Sequence, residues 1–237
     1  MSFILKVEDL NKTFTLHQFN KKNIEGCRQV SFSVRKGEFV GITGKSGAGK
    51  STVLKCIYRT YIPSGGKILY KSNQYGEIDL SKSSEQEIIS LRRQEIGYIS
   101  QFLKILPQVT ALDVVTESLL EMGCEREYAN HEAAIMLKHF ELPEKLWDAY
   151  PHTFSGGEKL RLNLAQAMIK RSKLLLLDEP TAALDEKSKA PVREMILELK
   201  RAGTTMVGIF HDVAFMRDVV DSHYHMSEGF LKEAIVA

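Results

Sequence analysis

Gly44-Lys45-Ser46-Gly47-Ala48-Gly49-Lys50-Ser51 satisfies the pattern G-x-x-x-x-G-K-[ST], and it lies between an apolar run, Phe39 to Thr43, and a helical pattern from Lys50 to about Tyr58. A strand that runs into a glycine-rich turn and then opens a helix aims successive backbone N–H groups at an anion. The helix N-terminus adds partial positive charge. In such a loop Lys50 supplies a point charge to the terminal phosphates of a nucleotide, Ser51 ligates Mg²⁺, and Thr52 continues the cradle. The fold class follows from this unit: an α/β core built around a phosphate-binding loop.

Downstream, Leu174-Leu175-Leu176-Leu177-Asp178-Glu179 is an apolar strand that ends in two carboxylates. This places both at the C-terminal edge of a parallel sheet, where open α/β sheets bind ligands. Asp178 suits the metal, and Glu179 is placed to polarise or deprotonate an attacking water. Taken alone, the pair has a competing reading as acidic residues that close a strand and cap the next turn; the phosphate-binding loop further favours the catalytic reading. Ser155-Gly156-Gly157-Glu158, before a helix, is a capping box, with Ser155 as N-cap and Glu158 three residues on. Two glycines at a helix start also expose backbone donors, so the same stretch is a second anion site, one that the chain's own loop does not need.

Around these motifs the organisation is that of one catalytic unit. Short strand-like pieces from Phe3 to Val40 predict an antiparallel β-region, with the polar stretch Gln18 to Gly26 as a hairpin loop or small insertion. A second hairpin, a helix near Glu85 to Arg93 and a strand over Ile96 to Ile99 follow. From Ala111 to about Lys145 the apolar positions are spaced for helices. Helices over Gly156 to Met168 and Lys187 to Lys200 then alternate with buried strands over Leu174 to Leu177 and Thr205 to Phe210, which predicts parallel βαβ units. The 237 residues carry a formal net charge of only +2, which argues against nucleic acid as the main partner. The three cysteines, Cys27, Cys56 and Cys124, lack C-x-x-C spacing and imply neither a disulfide framework nor zinc. Lys6, Glu8 and Asp9 interrupt any leader-like apolar region, and no run reaches membrane-spanning length, so the expectation is a cytoplasmic chain.

The order and spacing of Gly44 to Ser51, Gln101, Ser155 to Glu158, Leu174 to Glu179, Ala183-Leu184-Asp185 and His211 resemble the nucleotide-binding subunits of ATP-binding-cassette (ABC) proteins over nearly the whole chain. The resemblance implies a P-loop NTPase core of the ABC type with an antiparallel β-subdomain and an inserted α-helical subdomain. A single domain, 1–237, would comprise core and β-subdomain over 1–100 and 150–237, with the helical part at about 101–149. It implies ATP and Mg²⁺ as cofactors, and a second ABC subunit, identical or a paralogue, whose Ser155, Gly156 and Gly157 would meet the γ-phosphate held by the first. Gln101 resembles the glutamine that touches Mg²⁺ and the water, His211 the switch histidine, and Asp185 the loop aspartate that reaches across the dimer. Phe14 resembles the aromatic that stacks on adenine, while core packing in the hairpin remains its alternative. Glu158 departs from the family's usual glutamine, which leaves its side-chain contacts open. His223 and His225 alternate on a strand but have no third metal ligand nearby.

Within the family, Gln101 to Pro107, Thr110 to Val115, Thr153-Phe154 and Gly208 to Asp212 resemble the L ATPase subunits of carbon-phosphorus lyase systems. That would make the partners lyase core subunits and the context phosphonate catabolism, in the step that joins a phosphonate to the ribose of ATP with loss of adenine. The runner-up is a transporter subunit that partners membrane permeases, because Phe102 to Pro107 also resembles lipoprotein-release and macrolide-export ATPases. Phe102, Leu103, Ile105 and Leu106 are read either as an apolar docking surface or as packing inside the helical lobe.

Overall fold

The computed structural model describes residues 3–16, 22–100, 108–181 and 186–234. The elements in chain order are β1 (Phe3–Leu16), β2 (Lys22–Arg35), β3 (Phe39–Gly44), α1 (Lys50–Ile57), β4 (Gly65–Ser72), β5 (Gly76–Asp79), α2 (Glu85–Gln94) and β6 (Ile96–Ile99). The second half supplies α3 (Ala111–Leu120), α4 (Arg126–His139), α5 (Gly156–Ile169), β7 (Leu174–Asp178), α6 (Glu186–Arg201), β8 (Thr205–Ile209), α7 (Val213–Arg217), β9 (Ser222–Ser227) and β10 (Phe230–Ala234).

Among the described residues the strands form two sheets, an antiparallel one in the order β2-β1-β4-β5 and a larger one in the order β10-β9-β3-β8-β7-β6. In the larger sheet β9, β3, β8, β7 and β6 run parallel, and β10 closes the edge antiparallel to β9. Central parallel strands are covered on both faces, which is why β7 and β8 are buried from end to end and read as unbroken apolar runs. Their side chains alternate between two cores. Leu174 and Leu176 join Val40 and Ile42 against α1 and the antiparallel sheet, while Leu175 and Leu177 join Phe39 and Phe210 on the face covered by the helices that follow. Each of these fully buried leucines contributes about 1.5–3 kcal/mol. Helices α3 and α4 pack on each other, and both also pack on α5, whose Leu160, Leu162 and Leu164 share their core.

In the hairpin of β1 and β2, residues 22–26 correct part of the reading of Gln18 to Gly26 as a hairpin loop or small insertion; residues 18–21 lie outside the described ones. The ladder continues through Thr13↔Glu25 and Phe14↔Ile24, so residues 22–26 are strand. Ile24 and Glu25 are exposed there, and a strand end without a buried face shows none of the alternation that marks a strand in sequence. The two sheets are tied together at Glu95, a carboxylate only 4% exposed. It accepts from Tyr70 Oη at 3.0 Å, Ser72 Oγ at 2.8 Å and the Asn73 N–H, while its backbone carbonyl accepts from the Leu174 N–H at 3.0 Å.

Candidate functional site

The loop from β3 to α1 is built around positions that exclude side chains. Gly44 (φ 146°) and Gly49 (φ 105°) adopt positive φ. A Cβ at Gly44 would overlap the Met226 carbonyl oxygen, and one at Gly49 the Gly26 carbonyl oxygen. Strand β9 and hairpin β1–β2 therefore hold the loop from both sides. Lys50 is only 4% exposed, and its Nζ donates to the carbonyls of Gly44 at 2.8 Å and Lys45 at 3.0 Å. Burial lowers its pKa, with the Glu179 and Asp178 carboxylates pulling the other way. Ala48 donates its N–H back to Lys45 O at 3.2 Å, which closes the turn.

A cavity of about 290 Å³ opens over this loop. Ser46, Gly47, Gly49, Lys50, Ser51 and Thr52 line one side, Phe14, Ile24, Glu25 and Gly26 the other, and Glu179 reaches it from the sheet. Phe14 is half-buried, its ring edge-on to Tyr61 at 5.1 Å with Lys12 Nζ 4.9 Å from its centroid. Phe14 thus packs on Tyr61, which lies outside the hairpin, and lines the cavity.

The carboxylates at the end of β7 are held by three strands and α1. Ser51 Oγ donates to Asp178 Oδ1 at 2.9 Å, and Tyr98 Oη donates to Oδ2 at 2.6 Å. A hydroxyl and a carboxylate side by side are the hard oxygen donors that Mg²⁺ takes, so this pair fits that ion. Burial, more than the bond to Asp178, pushes the Tyr98 phenol well above the ordinary tyrosine range, so it remains a donor. Glu179 follows at φ 56°, a left-handed conformation uncommon outside glycine, and its N–H donates to Ile209 O at 3.2 Å. Its Oε1 lies 2.7 Å from His211 Nε2, which stands just past β8. Sequence reasoning brought Ser51, Asp178, Glu179 and His211 to one place. It missed Tyr98, whose only signal was a hydroxyl in a strand adjacent to the acidic one.

Ser155, Gly156, Gly157 and Glu158 do not line the cavity. Ser155 Oγ accepts from the Glu158 N–H at 3.3 Å, while Glu158 Oε2 accepts from the Ser155 N–H and hydroxyl, each at 2.8 Å. The Ser155 N–H in particular holds the Glu158 carboxyl below the usual range. The box stands at the exposed start of α5. Gln101 and Asp185 lie outside the described residues, as does the segment Phe102 to Leu106. His223 and His225 share one hydroxyl: Thr43 Oγ1 lies 2.7 Å from His223 Nε2 and 3.2 Å from His225 Nδ1. Among the described residues no group of three metal-ligating side chains occurs.

Residues 27–182 match the ABC transporter family. The chain is 32% identical over 231 residues to the arginine transport ATP-binding protein ArtM of Bacillus subtilis, covering 97% of this chain and 90% of that one. It is 37% identical over 204 residues to the lipoprotein-releasing system ATP-binding protein LolD of Shewanella oneidensis, covering 86% of each. Among solved structures, the dimeric ATP-binding cassette MJ0796 in a post-hydrolysis state bound to ADP and Pi superposes with a TM-score of 0.88 at 27% identity, covering 98% of this chain and 99% of that one.

Proposed function

The chain belongs to the ABC transporter family, and from that premise we propose that it is the ATP-hydrolysing subunit of a membrane transporter, active as a head-to-tail pair. ATP and Mg²⁺ are its cofactors. In this reading residues 1–237 form one ATPase domain, with the segment at about 101–149 inserted as a helical lobe between core halves 1–100 and 150–237. The observation that carries the shared site is the separation of Ser155-Gly156-Gly157 from the cavity over Gly44 to Ser51. Each chain then owns a cradle for one triphosphate and a spare anion site for another.

Phe14 would stack against the base, a contact of about 0.5–1.5 kcal/mol. The loop amides and Lys50 would take the phosphates. Ser51 and Asp178, with Gln101, would hold Mg²⁺, which neutralises charge on the phosphate oxygens. Glu179 would take a proton from water as the water oxygen bonds to the γ-phosphorus, while the β–γ bridging oxygen leaves with ADP. His211, 2.7 Å away, would keep that carboxylate aimed. The mate's Ser155, Gly156 and Gly157 would complete the γ-phosphate cage, and Asp185 would reach across the pair.

The carbon-phosphorus lyase reading rests on segments that include Phe154 and Phe210. Both are core residues, 4% and 1% exposed, and Phe210 packs on Phe39 and Phe215 at 5.8 and 6.1 Å. Residues of that kind report packing more directly than partner choice. The transporter subunits among the relatives support a permease partner instead. No helix among the described residues is long and apolar enough to cross a membrane, so in this reading the spanning segments belong to that partner.

The tests are a size measurement and a capture. The Glu179→Gln chain with ATP and Mg²⁺ should run at twice the mass seen with ADP, and a monomer under both conditions would contradict the shared site. Tagged chain drawn from detergent-solubilised membranes should bring a membrane-spanning protein with it. Recovery of soluble lyase subunits in its place would move the partner to the second reading.

A further inference from the structure

We propose that Tyr98 is a positioning residue for the metal-binding carboxylate: its phenol fixes Oδ2 of Asp178 and so leaves Oδ1 turned to Ser51 and the cation, an inference that rests on the MgATP reading above. Strand β6 runs parallel to β7 with Tyr98 opposite Leu176, and from there the phenol reaches the carboxylate beyond the strand end at 2.6 Å. The Ser51 hydroxyl occupies the other oxygen at 2.9 Å. An ionised carboxylate only accepts, so two donors from two different elements fix its plane. Rotation of the Asp178 side chain would break both bonds.

The phenol is itself immobilised. Its ring packs on Tyr58 with centroids 5.0 Å apart, just past the end of α1. The Arg92 guanidinium of α2 lies 4.4 Å from the Tyr58 centroid and donates to the Tyr58 carbonyl from Nε at 2.9 Å and from Nη2 at 2.7 Å. A phenylalanine at 98 would make the same ring contact and leave Oδ2 without this donor. The hydroxyl is therefore the part of the residue directed at the metal ligand, as outer partners of metal-binding carboxylates are.

The test uses the full chain and its Tyr98→Phe variant, with Mn²⁺ as a paramagnetic probe of the protein–ATP complex. We expect Mn²⁺ affinity to fall about 10-fold, with an altered resonance line shape. ATP binding in chelator and the melting temperature should stay as in the unmodified chain. Hydrolysis should need correspondingly more Mg²⁺ and recover its kcat at saturation. Placed on an Asp178→Asn background, Tyr98→Phe should change metal affinity no further, because its effect runs through that carboxylate. Unchanged Mn²⁺ affinity, an equal loss on the Asp178→Asn background, or a matching loss of stability and metal-free ATP binding would each overturn the proposal. If the unmodified chain takes up no Mn²⁺ with ATP, the MgATP reading itself fails, whatever Tyr98 does.

Discussion

Helices α1 and α5 both have glycine at the N-cap or the first helical position, and their N-termini are prepared in opposite ways. At α1 the N-cap is Gly49 in a left-handed conformation, no side chain caps the helix, and the first turn carries no acidic residue. At α5 the N-cap is Ser155, and the reciprocal box with Glu158 satisfies donors from within the chain. Helix starts leave backbone N–H groups that must find acceptors. In the proposed reading the first helix leaves them for a phosphate at the floor of a cavity. The second supplies its own carboxylate at an exposed surface, and in the proposed pair the mate's phosphate would compete for the same hydroxyl. A site complete within one chain would have no use for that second terminus.

The largest expected effect breaks the α1 side. Lys50→Ala should weaken ATP binding roughly 10- to 100-fold, the worth of a hydrogen bond to a charged group at about 1.5–3 kcal/mol. Titration with a fluorescent nucleotide checks it, and affinity within a factor of two of the unmodified chain would remove Lys50 from the cradle. A smaller effect sharpens the α5 side. Glu158→Ala should cost about 1 kcal/mol, or 2–4 °C in melting temperature for a chain of this size, through the lost box. ATP-driven pairing should survive, because Ser155 and the helix amides remain and their internal competitor is gone. Loss of pairing would mean that Glu158 itself contacts the second chain.

The same substitution has a pH signature. The folded Glu158 carboxyl lies below its ordinary value of 4.5, mainly because the Ser155 N–H binds its charged form. A depressed carboxylate stabilises the fold above that ordinary value, and the contribution disappears as pH falls through the folded value. The stability gap between the unmodified chain and Glu158→Ala should accordingly be full near neutrality and shrink below pH 4.5, as read by denaturant melts across that range. A gap that widens on acidification would contradict the box as the cause.

Sequence made the α1 side and the acidic strand legible because both depend on local chemistry. The pattern from Gly44 to Ser51, the four leucines before Asp178 and the Ser155–Glu158 spacing each announce a turn, a buried strand or a cap within eight residues. What stayed hidden depends on pairing across long separations. Tyr98 and Asp178 are 80 residues apart and meet only through the register of β6 on β7. His223 and His225 turn to Thr43 through the pairing of β9 with β3, which no spacing records. Residues 22–26 lacked a buried face and so read as loop, although Phe14 finds Ile24 there and both line the cavity over the Gly44–Ser51 loop. The helical lobe was visible as periodicity, but α5 as its third wall was not, since periodicity says which side is apolar and not what covers it.

The claim that each catalytic site is divided between two chains is tested most directly by the protein-concentration dependence of ATP hydrolysis, measured beside a Ser155→Arg chain. Specific activity of the unmodified chain should fall toward zero on dilution. The Ser155→Arg chain should bind ATP yet hydrolyse almost none at any concentration. Constant specific activity on dilution, with Ser155→Arg turning over at the unmodified rate, would mean that one chain completes its own site.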